Sequence, residues 1–409
     1  MNREGGRKMT RRRLLQAGAG VAAGSVLATG DAPAGPPAKA GVYEALGIKP
    51  VINAAGTFTA LGGSVMPPEV VAAWVEASKH FVDLVQLQDR VGERIAKLLG
   101  VEAAMVTTGA AGALLLGTAA SLTRGDRKLI AKLPDTTGMK NEVILQKAHH
   151  SCYDNQLTDV GVKLIDVETA ADIGRAVNAK TALMFFMNMS DGEGKIKRAE
   201  WIELARKHNV PTLIDAAADV PPVERIAEYA KMGFELIAVS GGKAIRGPND
   251  TGLLLGRKDL VEAAKLNANP HCGTIGRMMK VGKEDMVALL VAVERFVKTD
   301  HAAEGKEFER RLGVIESAVK GIPSLECERI VPAIANHVPH VQIAWDEKRV
   351  KITREKVTKE LAAGDPPIRI GRVSGTGNKG ILISVLTLQE GEERIVATRL
   401  GEILQKAAG

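Results

Sequence analysis

The stretch V-S-G-G-K-A-I-R-G-P-N-D-T-G-L-L-L-G, residues 239–256, sets Lys243 between glycine-rich turns and apolar runs. L-I-A-V-S (236–240) and T-G-L-L-L-G (251–256) both read as strands. Only the segment from Gly241 to Asp250 joins them, which is shorter than a crossover between parallel neighbours needs. The second strand is therefore predicted to run antiparallel to the first.

Outward from this pair, strand-like runs recur at 103–108, 142–146, 163–167, 182–188 and 212–215, with helix-length segments between most of them. Alternation of this kind predicts an α/β fold whose mainly parallel sheet is covered on both faces. Residues 68–100 read as helical with a stop at Gly100, and 284–299 as one long helix. The predicted organisation is a leader and linker over 1–40, a large domain over 41–300 and a smaller C-terminal α+β domain over 301–409.

With 409 residues and 45% hydrophobic content, the chain can bury a large core. Its net charge of +7 resembles a nucleic-acid footprint, but Arg3, Arg7, Lys8, Arg11, Arg12 and Arg13 oppose only Glu4 within the first thirteen residues. The remainder is nearly balanced, and at 3% aromatics there is little to stack on bases, so no nucleic-acid partner is expected. Cys152, Cys272 and Cys327 supply neither a disulfide framework nor a CxxC pair, and no metal site is expected.

T-R-R-R-L-L-Q (10–16) leads into a small-residue run, with A-K-A at 38–40 as a cleavage site. This resembles a twin-arginine export signal, which implies a location outside the cytoplasmic membrane, in the periplasm or beyond. The run is too short and glycine-rich for a stable membrane span. G-A-G-V-A-A (18–23) matches a dinucleotide fingerprint by accident, because arginines rather than a strand precede it.

Three further features sit at strand ends. T-T-G-A-A-G-A-L (107–114) runs from a strand into a helix whose first free N–H groups and dipole suit a phosphate, although such junctions also serve close packing. L-I-D-A-A-A-D (213–219) ends a strand in Asp215, where a carboxylate points into the ligand crevice or caps a helix. K-A-H-H-S-C-Y-D (147–154) offers His149 or His150 as a flat group. A lysine, an acid for a ring nitrogen, a phosphate cup and a flat ring together describe pyridoxal-phosphate chemistry.

The sequence resembles the fold-type-I pyridoxal-phosphate enzymes, most closely the branch of L-seryl-tRNA(Sec) selenium transferase and D-glucosaminate-6-phosphate ammonia-lyase. V-I-N-A-A-G-T-F-T-A-L-G-G (51–63), the three motifs at 107–114, 213–219 and 240–248, G-R-M-M-K-V-G-K-E (276–284) and L-A-A-G-D-P-P-I (361–368) carry the likeness. It implies a seven-stranded, mainly parallel sheet with Lys243 as the Schiff-base lysine, Asp215 on the pyridinium nitrogen and Ala217 against the ring. It further implies Gly109, Ala110 and Ala111 on the phosphate with Ser240 assisting, His149 stacked on the ring and Asn188 toward its hydroxyl. Arg277, Lys280 and Lys283 would lie near the site or serve a neighbouring subunit, and Arg369 and Arg372 are candidates for a substrate carboxylate. A homodimer or higher homo-oligomer is implied as well.

The activity expected is a pyridoxal-phosphate-dependent lyase acting by α,β-elimination on an amino acid or amino-sugar acid, with Lys243 abstracting the α-proton. Selenium or sulfur transfer and racemisation share that first step. An exported solute-binding protein with a structural lysine is the reading from outside enzymology.

Overall fold

The computed structural model describes residues 41–371 and 380–409. The segment read as an export signal, the site read as its cleavage point and Arg372 lie outside the described residues. Of the described residues, 41–49 form one unit, in which Glu44–Leu46 makes a short turn closed by Gly47 at φ 71°. Residues Pro50–Gly409 form the other.

Twelve strands are present among the described residues. They are β1 (Ile52–Ala54), β2 (Ala103–Thr108), β3 (Glu142–Gln146), β4 (Lys163–Val167), β5 (Thr181–Met187), β6 (Thr212–Asp215), β7 (Leu236–Ser240), β8 (Thr251–Gly256), β9 (Leu325–Ile330), β10 (His340–Trp345), β11 (Ile368–Ile370) and β12 (Ile381–Ser384). Seven of them form one sheet in the order β2-β8-β7-β6-β5-β3-β4. The pairs among β3 to β7 are parallel, whereas β8 runs antiparallel to both β7 and β2. The short link read from the sequence thus reverses one strand, and the sheet is otherwise parallel.

Period-two alternation drives both faces of this sheet into apolar cores. Along β5, Met184 and Phe186 join the cluster on one face while Leu183, Phe185 and Met187 join that on the other. The helix Gly109–Thr123 is apolar nearly all round and is buried from Gly112 onward, as a helix without a polar face must be. A Cβ on its Gly117 would already stand 3.3 Å from Leu236 and Leu254, so this helix lies close on the sheet.

Residues 68–100 form two helices, Pro68–Ser78 and Leu84–Leu99, where one helical stretch was predicted. The Asp83 carboxylate accepts from the Gln86 N–H and starts the second, and Gly100 ends it at φ 66°. The long helix spans Lys283–Lys298.

The smaller C-terminal domain packs the helices His301–Val319 and Glu392–Ala408 against an antiparallel sheet β12-β10-β9. Its core also takes Ile52 and Ala54 of β1, which pairs in parallel with β11. The first strand of the chain thus contributes to the core built by its last hundred residues. No helix among the described residues is long and apolar enough to cross a membrane.

Candidate active site

The C-terminal ends of the parallel strands meet along one edge of the sheet, where ligands of open α/β sheets bind. Met187, the last residue of β5, pairs with Asp215, the last of β6, and Asp215 pairs with Ala238 of β7. Just beyond these ends stand Asn188, Ala217 and Ser240.

Lys243 lies in the turn after β7. The turn is closed by Gly241 N–H to Thr251 O at 2.9 Å and Gly247 N–H to Gly241 O at 2.9 Å. Glycine is required here, since a Cβ on Gly242 would stand 2.5 Å from Asn249 Cα. Ser64 Oγ donates to Gly242 O at 2.9 Å, so the 51–63 motif ends against the lysine turn. The Lys243 amine makes no hydrogen bond or ion pair among the described residues. Burial lowers its pKa from the ordinary lysine value, and the carboxylates of Asp215 and Asp219 oppose that shift.

Asp215 is 7% exposed and accepts from the Ala217 N–H at 2.9 Å. Burial raises its carboxyl to about 6, the Ala217 N–H and Lys243 pull it back, and Asp219 adds to the rise. Ser240 N–H donates to Ala217 O at 3.3 Å, which keeps those two neighbours side by side.

The helix at Gly109 begins at φ 63° with no side-chain cap, so its first N–H groups carry no intrahelical or capping partner. Gly109 and Ala110 are half-buried and Ala111 is exposed. Beneath them passes β8. A Cβ on Gly252 would stand 2.2 Å from the Gly109 carbonyl carbon and 2.6 Å from Ala110 N, so only glycine lets strand and helix end meet. The unpartnered amine, the buried acid and the uncapped helix end on a glycine bed suit the aldehyde, ring nitrogen and phosphate of pyridoxal phosphate.

Two side chains differ from expectation. His149 has no exposed ring face: its Nδ1 accepts from Met187 N–H at 3.3 Å, its Nε2 lies 3.1 Å from Gln146 Nε2, and its ring meets Phe186 edge-on. Burial lowers its pKa to about 4, so the ring is a neutral wall element. In the same segment Tyr153 is 46% exposed, and its pKa is raised first by burial and then by the charges of Cys152 and Asp215. His150 pairs instead with Asp154 and Asp166. Asn188 is also fully buried, with its amide N–H groups committed to Asp219 and to Tyr229 Oη at 2.8 Å. Its Oδ1, by contrast, has no hydrogen-bond partner among the described residues.

Asp219, four residues past Asp215, completes this network by accepting from Tyr229 Oη at 2.9 Å. Burial raises its pKa, against the hydrogen bonds from Asn188 and Tyr229. The second acid of L-I-D-A-A-A-D was the signal for it, whereas nothing in the sequence marks Tyr229. The small domain reaches the same place: Asn336 N–H donates to Ala218 O at 2.7 Å, and Arg225 bridges from Asp219 O to Ile334 O.

The remaining candidates make no hydrogen bond or ion pair with the site residues among the described residues. Arg277 and Lys280 are exposed, with Arg277 reaching Asn269 Oδ1 at 3.4 Å, and Lys283 pairs with Glu284. Arg369 is exposed on β11 opposite Asn53 of β1, which places it beside the 51–63 motif.

Comparison with known proteins follows this geometry. The family described as Aminotransferase class-V matches residues 123–281. D-glucosaminate-6-phosphate ammonia lyase of Salmonella typhimurium is 28% identical over 90% of this chain and 99% of its own length. A 5'-C-glycyluridine monooxygenase-decarboxylase of a Streptomyces species is 27% identical, over 80% of this chain and 83% of the relative. L-seryl-tRNA(Sec) selenium transferase of Clostridium botulinum is 25% identical, over 87% and 83% respectively. Among solved structures, a D-glucosaminate-6-phosphate ammonia-lyase superposes with a TM-score of 0.77 at 27% identity, covering 91% of this chain and all of that one. A serine palmitoyltransferase from S. paucimobilis holding PLP shares the fold alone, at 13% identity and a TM-score of 0.55 over 88% of each chain.

Proposed function

We propose, for a chain that belongs to the fold-type-I pyridoxal-phosphate enzymes, a lyase reaction of the ammonia-lyase type on an amino acid or amino-sugar acid. One observation carries the reading: the chain matches an ammonia lyase over 99% of that relative's length, and keeps a half-buried, unpartnered lysine whose charge acts on the buried carboxyl of Asp215. Pyridoxal phosphate, when bound, supplies a sink for the electron pair left at the substrate α-carbon.

The chain's own residues supply the rest. Lys243 would hold the cofactor by its aldehyde carbon and, as a neutral amine, would take the proton from the substrate α-carbon. Asp215 would keep a proton on the pyridine nitrogen, the Gly109–Ala111 amides would bind the phosphate, and Ala217 with Ser240 would line the ring. Loss of the α-proton and of a β-substituent with its bonding pair leaves an enamine. Its tautomer takes up water and gives a 2-oxo acid and ammonia.

A panel of D- and L-amino acids and amino-sugar acids tests this, with ammonia, 2-oxo acid and α-deuterium uptake from heavy water all followed. Stoichiometric ammonia and 2-oxo acid from one substrate is expected. Deuterium uptake with inversion and no ammonia would assign racemisation instead, and a product carrying added sulfur or selenium would assign transfer.

Two further readings belong with this one. Arg11 and Arg12 before Leu14 and Leu15 support export of the folded, cofactor-loaded protein, and Arg11→Lys with Arg12→Lys should retain a longer precursor in the cytoplasm. Export unchanged in that double variant would sink the reading. Apolar side chains crowd the surface from Phe58 to Val85, with Phe81 fully exposed, which supports a homo-oligomer. Light scattering that returns a monomer at micromolar concentration would remove it.

A further inference from the structure

At the opposite edge of the large sheet, where β6 and β7 begin, lies a cleft of about 460 Å³. Its base is fixed by two hydrogen bonds, Thr212 N–H to Glu235 Oε2 and Glu235 N–H to Thr212 Oγ1, both 3.1 Å. Nothing in the reaction proposed above uses it, because Asp215 and Lys243 stand at the other ends of the same strands.

The charges around it are unbalanced. Arg124, Lys140, Arg206 and Arg257 line the cleft with Glu235, and Asp259 stands beside Arg257. Both acids are committed to Arg257. Arg124 Nη1 is 3.9 Å from Asp259, too far for a good hydrogen bond, and Lys140 has no partner among the described residues. Arg124 is pushed below the ordinary arginine pKa by burial and by the charge of Arg257, so the two guanidiniums repel.

The backbone holds this crowding in place. Arg124 sits in the left-handed region at φ 49°, with Nε donating to Ser121 O at 3.2 Å. Arg206 donates to Met232 O at 2.8 Å and lies across Gly233, where a Cβ would stand 2.2 Å from its guanidinium. One wall is apolar, made by Ile202, Ala205, Val210 and Pro211.

We propose that this cleft binds a small phosphorylated molecule, its phosphoryl group between Arg124, Arg206 and Arg257 and its body along the apolar wall. Guanidinium forks match phosphoryl oxygens in pairs, and a multiply charged anion would relieve the repulsion that the fixed acids leave.

The test uses holoenzyme, so that bound cofactor already fills the phosphate cup at Gly109, and inorganic pyrophosphate as probe. Calorimetry should show one site per chain that weakens as salt rises. Arg124→Gln and Lys140→Gln should each weaken it about tenfold with melting temperature and cofactor absorbance unchanged. Lys140 is exposed and unpaired, so its variant keeps the test valid if Arg124→Gln does not fold. Absence of binding, equal binding in a folded variant, or citrate bound as tightly as pyrophosphate would each overturn the proposal.

Discussion

Gly252 of β8 lies directly beneath Gly109, so close that a Cβ on it would stand 2.2 Å from the Gly109 carbonyl carbon. The strand that reverses the sheet thus sets the height of the helix end proposed to hold phosphate. Gly252→Ala should lift that end and weaken pyridoxal phosphate at least tenfold, the worth of one charge-assisted hydrogen bond. Pyridoxal, which lacks the phosphate, should bind as before. Equal weakening of both by spectroscopic titration would mean that the fold, rather than the cup, was damaged.

Lys243 is the lysine expected to carry the cofactor. Borohydride reduction of holoenzyme followed by peptide mapping should place the pyridoxyl group there. Lys258, at the start of the helix Lys258–Asn267, and exposed Lys280 are alternatives. A label on either would move the site.

The sheet was legible because its inner strands are buried on both faces and so read as apolar runs between turn residues, the edge strand β4 being the half-exposed exception. Lys243 and Asp215 were legible as potential site residues because a charge at the end of such a run has little packing reason to be there. His149 was not. Whether its ring faces a ligand or the wall is decided by the Met187 N–H, contributed by another strand. Asn188 is governed likewise by Tyr229, a helical residue whose sequence context is that of an ordinary core aromatic. The pairing of β1 with β11 spans almost the whole chain, and no local pattern encodes it.

Asp215→Asn should cut turnover far more than tenfold while improving the stability of apoprotein at neutral pH. The folded carboxyl titrates near about 6, above its ordinary value of 3.8. Its contribution is therefore fully present below about pH 4 and is lost as pH rises through 6. Two units correspond to roughly 3 kcal/mol. The melting temperature of the apo variant should accordingly exceed the parent's at pH 8 and approach it at pH 4. A difference that does not change between those pH values would contradict the buried, unneutralised state of Asp215.

Asp219 should tune the amine of Lys243 without touching the phosphate cup. Only the unprotonated amine attacks an aldehyde, so the rate at which apoprotein takes up pyridoxal phosphate should rise with pH through the lysine's titration. Burial places that midpoint below the ordinary lysine value, and the carboxylates of Asp215 and Asp219 hold it up by favouring the charged form. Replacing Asp219 by Asn removes one of them, so the midpoint should move further down and uptake at pH 7 should quicken. The change also takes an acceptor from Tyr229 Oη and Asn188, so Tyr229→Phe serves as the control: it loosens the network but leaves the charge. A downward midpoint in Asp219→Asn with little change in Tyr229→Phe assigns the effect to charge. An unchanged or raised midpoint in Asp219→Asn would show that the second acid has no electrostatic hold on the lysine.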